Sequence, residues 1–139
     1  MDRFLALSSR DREQAFEQAG VARGLSAGSI EKDFWVTLVL RELFAISDVA
    51  EHLTFKGGTS LSKAWHLIDR FSEDVDLTLG RELLGLGTAG DPETTRNNSQ
   101  RSRRLAALVT ASEAYVAGPL MRGLDEGFRL RYHREMNGA

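Results

Sequence analysis

The chain has 139 residues, 42% apolar and 27% charged, with two Pro and a formal net charge of −2. That is the profile of one folded domain with a modest core, not of a disordered chain. It holds no Cys, which excludes disulfides, zinc–thiolate sites and thiol nucleophiles, and fits a cytoplasmic setting. No apolar run approaches the ~18 residues of a membrane span. The charged start, MDRFLALSSRDR, lacks the apolar stretch of a signal peptide, so no membrane partner is expected.

In chain order, residues 9–19 read as a short helix with Phe16 and Ala19 inward, capped by Ser8 or Ser9 and stopped at Gly20. A second helix is expected over 27–45, capped by Ser26. Its broad apolar side, Ile30, Phe34, Val36 to Leu40 and Phe44, predicts deep burial. HLTF, 52–55, is a strand candidate, and Gly57-Gly58 a turn. Residues 59–69 have Leu61, Trp65 and Ile68 at helical spacing. DVDLTL, 74–79, alternates: Val75, Leu77 and Leu79 to one face, Asp74, Asp76 and Thr78 to the other. Residues 80–98 carry Gly, Pro, Thr and Asn and read as a flexible loop, long for a plain connection. A long helix is expected from about 99 to 117, with Leu105, Leu108, Val109, Ser112 and Val116 inward, ended by Gly118-Pro119. A last strand is expected at 127–133, giving about three strands in all.

Two short stretches suggest chemistry. Asp74 and Asp76 lie two apart on a strand, so both carboxylates share one face. Confined carboxylates repel, and a divalent cation with a preference for oxygen relieves that repulsion. Such metal–carboxylate sites suit phosphoryl or nucleotidyl transfer. The bland alternative is the wet side of an edge strand. Gly57-Gly58-Thr59 stands between a strand and a helix, where backbone N–H groups and the helix dipole favour a phosphate and Thr59 or Ser60 adds a hydroxyl. It is not a P-loop, because the GxxxxGK[ST] spacing is absent. A phosphate-binding turn, a helix and paired carboxylates together are more specific than either half.

The blocks EKDFWVTLVLREL (31–43), LTFKGGTSLSKAW (53–65) and RFSEDVDLTL (70–79) resemble the AbiEii/AbiGii nucleotidyltransferase toxins of the DNA polymerase beta-like superfamily. The resemblance implies an α/β (α+β), helix-rich fold with a short mixed sheet, as one partial domain over 1–139. It implies that Asp74 and Asp76 are the catalytic metal carboxylates, holding Mg²⁺ or Mn²⁺. Gly57 and Gly58 would form the nucleotide-binding turn and Thr59 its hydroxyl contact. Lys56 would reach a phosphate, Ser72 would hydrogen-bond near the acids, and Arg70 would pair with an acid or hold the nucleotide. Lys56 as a solvated strand end and Arg70 as a helix C-terminal cation remain the alternatives.

The implied activity is transfer of a nucleoside monophosphate from a nucleoside triphosphate to a hydroxyl of RNA, tRNA among the candidates, or of a protein. The setting would be a toxin–antitoxin or phage-defence system with a cognate antitoxin. The family pattern also needs a third carboxylate from a later strand. Asp125, Glu126 and Glu135 are the acids after the long helix, and none lies in a clearly alternating strand. The chain also ends where further family elements would begin, so the resemblance implies an amino-terminal portion. Activity of this chain is therefore left open. The alternative is a truncated, non-catalytic nucleotide-binding or partner-binding domain, and a homodimer would be one way to complete the site. Residues 101–139 hold 7 Arg against 4 acids. RSRR (101–104) thus offers sequence-independent attraction to an RNA backbone, or an ordinary solvated helix face.

Overall fold

The computed structural model describes residues 2–58, 60 and 75–133. The expected helix over 59–69 falls almost wholly outside these residues, as do Thr59, Arg70, Ser72 and Asp74.

Helices α1 (Asp2–Leu5), α2 (Ser9–Arg23) and α3 (Ala27–Leu43) come first. Ser8 and Ser26 cap α2 and α3, their side chains accepting from the N–H groups of Asp11 and Ser29, which satisfies otherwise orphaned helix donors. Gly20 does not stop α2. It is buried inside the helix, where a Cβ would come within 2.7 Å of the Leu25 carbonyl oxygen. The missing side chain lets the connection to α3 pack close. The stop is Gly24, at φ 67°. Phe4, Phe16 and Phe34 join these helices, with ring centroids 4.7–5.8 Å apart. Helix α3 is buried at Leu38, Leu40, Glu42 and Leu43, but Trp35, Val39 and Phe44 are exposed. The expected deep burial of its whole apolar side is therefore corrected to a single stripe.

Helix α4 (Ser47–Ala50) leads into β1 (Leu53–Lys56), which pairs with β2 (Asp76–Leu79). Among the described residues the sheet is two-stranded and antiparallel, not mixed. Its register places Leu53 opposite Leu79, Phe55 opposite Leu77 and Lys56 opposite Asp76. The period-2 alternation holds: Leu77 and Leu79 are half-buried, Asp76 and Thr78 exposed. The apolar face joins a core of Leu43, Val49, Leu53 and Leu120, with Ile46, Leu83, Tyr115 and Leu124 packed around it.

Three short 3₁₀ turns, Arg81–Leu84, Thr88–Gly90 and Pro92–Thr94, follow. Helix α5 (Asn98–Tyr115) is capped by Asn97, whose side chain accepts from Ser99 and Gln100 N–H. It holds no buried residue. Leu105 and Val109 face solvent, so the expected inner stripe is corrected: the partly covered residues of that helix are Arg104, Leu108, Ala111, Ser112 and Tyr115. Gly118-Pro119 does not end the helical run. A π-helical turn, Val116–Leu120, carries the chain through Pro119 into α6 (Met121–Phe128). A wider turn gives room for a proline whose ring and missing N–H would break a regular helix. The expected strand at 127–133 is helical instead, the end of α6 followed by a second π-helical turn, Arg129–His133. The Asp125–Arg129 ion pair (3.0 Å) and the Phe128–Tyr132 ring contact (5.6 Å) are both i, i+4 pairs, which only a helical path brings together.

Candidate nucleotide and metal site

The strand-to-helix corner follows from local sequence. β1 ends at Lys56; the chain turns at Gly57, whose φ is 77°; Gly58 and Ser60 then carry helical backbone. A side chain is strained at that φ, so glycine fits the turn. It also fits for a second reason. A Cβ on Gly57 would overlap the Asp76 carboxylate, with Asp76 Cγ only 3.0 Å and Asp76 Cβ 3.1 Å away. The carboxylate thus lies against bare backbone, in the space a side chain would fill. The sheet register puts it there, because Asp76 is the cross-strand partner of Lys56.

The structure therefore brings together Lys56, Gly57 and Asp76, with Gly58 next in the turn. Lys56 and Asp76 are exposed. A bound group would meet a carboxylate, an ammonium and glycine backbone within one corner. Ser60 does not join them as a phosphate donor. It is buried, and its hydroxyl donates to the Phe55 carbonyl at 3.1 Å, so it ties the helix start back to β1. Hard oxygen donors on an exposed strand face suit Mg²⁺, and Asp76 fits one ligand position.

Of the other acids considered from sequence, Glu135 lies outside the described residues, and Asp125 and Glu126 lie on α6. Asp125 pairs with Arg129 on α6, and Glu126 lines a cavity between α3 and α6. Among the described residues no three His, Cys, Asp or Glu side chains cluster as a metal site would require. Within RSRR, Arg104 is committed: its guanidinium donates to the Asp91 carbonyl and the Thr94 hydroxyl, both at 2.8 Å. Arg101 and Arg103 are exposed.

Two carboxylates carry interactions the sequence reading did not find. Asp91 accepts from the Glu93 N–H at 2.9 Å and pairs with Arg81 at 2.5 Å. That backbone hydrogen bond, aided by Arg81 and Arg104, holds its carboxyl below the usual range. Glu42 is 2% exposed at the C-terminal end of α3. Its position four residues after buried Leu38 was the available signal, since i, i+4 residues share a helix face.

A comparison with protein-family models gives a match over residues 38–135 to the nucleotidyl transferase AbiEii toxin of type IV toxin–antitoxin systems. The chain belongs to the AbiEii family. No curated protein and no solved structure matches it. The AbiEii match spans both strands and the Gly57 turn, and thus contains the corner. Among the described residues no helix is long and apolar enough to cross a membrane.

Proposed function

We propose that this AbiEii-family chain binds a nucleoside triphosphate with Mg²⁺ or Mn²⁺ at the β1–β2 corner. We propose further that it serves a nucleotidyltransferase toxin acting on an RNA or protein hydroxyl, in the cytoplasm and opposed by an antitoxin. The observation that carries this reading is the Asp76 carboxylate seated against Gly57, in a family whose members are nucleotidyl transferases.

Asp76, with Asp74 two residues before it, would hold the metal. When bound, the metal would neutralise triphosphate charge and favour ionisation of the attacking hydroxyl. The chain's own groups do the positioning. Gly57 makes the turn and leaves room for the Asp76 carboxylate, Gly58 lets the triphosphate approach backbone N–H groups, Thr59 offers a hydroxyl, and Lys56 opposes the phosphate charge across from Asp76. Arg70 and Ser72 are assigned to the nucleotide side of the same site. Arg101 and Arg103 supply sequence-independent attraction for a nucleic-acid acceptor.

A second reading, a nucleotide-binding or partner-binding domain without transfer activity, is favoured by one observation. Among the described residues the later acids Asp125 and Glu126 are turned to other contacts, Asp125 pairing with Arg129 and Glu126 lining the α3–α6 cavity. Calorimetric titration of ATP, GTP, CTP and UTP, with and without Mg²⁺, tests the binding. Saturable, Mg²⁺-dependent heat that disappears in Asp76→Asn is the expected result. Binding indifferent to both Mg²⁺ and Asp76→Asn would remove the corner from consideration. Transfer of labelled nucleotide to RNA or protein then separates the two readings.

A further inference from the structure

Hydrogen bonding along β1 alternates. The Gly80 N–H donates to the His52 carbonyl at 2.6 Å, so His52 and Gly80 form a hydrogen-bonded pair of the ladder. Thr54 with Thr78 and Lys56 with Asp76 repeat that arrangement, and Phe55, opposite Leu77, falls between them. The Phe55 carbonyl is therefore directed away from β2 and needs a partner elsewhere. Ser60 supplies it, its hydroxyl donating at 3.1 Å. Ser60 is 4% exposed, so water competes little for this bond.

The bond ties together two points of the chain that flank Lys56, Gly57, Gly58 and Thr59. Two of those four residues are glycines, whose backbones have the widest freedom. Gly57 holds φ at 77° with the Asp76 carboxylate against it. A turn of two glycines enters that conformation easily and leaves it as easily, because no side chain restrains it. A buried hydrogen bond just past the turn supplies the missing restraint. Alanine would satisfy the burial at this position; the hydroxyl is what makes the tie.

We propose, on the nucleotide-binding reading above, that Ser60 is a positioning residue for the phosphate turn. Its hydroxyl is given to Phe55 and does not contact the ligand. By holding the helix start to the outer edge of β1, it keeps the glycine backbone beside the Asp76 carboxylate before the ligand arrives. Less order is then left for binding to impose, which raises affinity for the phosphate chain.

Calorimetric titration of the parent chain, Ser60→Ala and Ser60→Thr tests this, with Mg²⁺ and ATP, GTP, CTP or UTP, and with Mg²⁺ and inorganic tripolyphosphate. Ser60→Ala should weaken nucleotide and tripolyphosphate by the same factor, about three- to tenfold, the worth of one hydrogen bond. Ser60→Thr keeps the hydroxyl and should stay within about twofold of the parent. A purely structural role would lower the urea midpoint and leave the affinity of the folded protein unchanged, so circular dichroism first establishes that each variant is folded. Ser60→Cys, a weak donor in nearly the same space, replaces Ser60→Ala if that variant does not fold, with the same loss expected. Unchanged affinity in the folded variant, or an equal loss in Ser60→Thr, would overturn the role of Ser60. No binding by the parent chain would instead overturn the nucleotide reading on which that role rests.

Discussion

The corner at Asp76 and the cavity at Glu42 each present a carboxylate, but they hold it in opposite ways. Asp76 is exposed and placed by backbone alone: a strand register and a glycine with no side chain. Its charge stays solvated, so it is free to exchange water for a cation. Glu42 is buried and placed by side chains, with two guanidiniums and a phenol on one oxygen. Its charge is tolerable only because those partners are present. Disturbing the first should cost function with little stability. Disturbing the second should cost stability first.

The largest effect on stability is expected from Glu42→Ala. Removing it strands Arg41, Arg131 and Tyr132, whose guanidiniums are partly exposed, so the loss falls below that of a fully buried pair, at about 2–3 kcal/mol. Urea denaturation reads it, and an unchanged midpoint would deny the cluster any structural role. Next is Gly57→Ala, which meets both the positive φ and the Asp76 carboxylate. About 1–3 kcal/mol should be lost, together with metal–nucleotide binding. Asp76→Asn is the contrasting case: stability within about 0.5 kcal/mol of the parent and Mg²⁺-dependent nucleotide binding gone. If this exposed substitution unfolds the protein, the comparison between the two carboxylates breaks.

The smallest effects are in pH. Burial, and then the Glu42 charge, push the Tyr132 hydroxyl above its ordinary pKa. Folding therefore favours the neutral phenol. Its contribution is full below about pH 10 and is lost as pH rises through the higher folded value. Tyr132→Phe should flatten that alkaline decline. Asp91 has the opposite sign. Its lowered pKa adds stability above the usual carboxylate value of about 4, lost as pH falls through the folded value. Arg81→Met should reduce that acid sensitivity.

The parts legible in sequence were those with a local cause. Alternation in DLTL gave β2 and its exposed Asp76. Ser8 and Ser26 announced two helix starts through their capping chemistry. Gly57 marked a turn, though not the carboxylate lying against it. What misled was punctuation read without context. Gly20 reads as a stop but is a close-packing residue. Gly118-Pro119 reads as an end but is absorbed by a π-helical turn. FRLRY alternates like a strand over a span too short to separate the two periods. The i, i+4 pairs Asp125/Arg129 and Phe128/Tyr132 were the better signal. Leu105 and Val109 show that an apolar stripe states a preference for cover without supplying it. The Glu42 cluster needed the fold, since Tyr132 and Arg131 reach it from about 90 residues away.

The central claim is that metal and nucleotide meet at the Gly57–Asp76 corner. Paramagnetic broadening of backbone amide NMR signals by Mn²⁺, with a nucleoside triphosphate present, locates the ion directly. Selective broadening at Lys56, Gly57, Gly58, Asp76 and Leu77, abolished in Asp76→Asn, is the result expected. Broadening centred on Asp125 and Glu126 instead, or none that depends on Asp76, would contradict it.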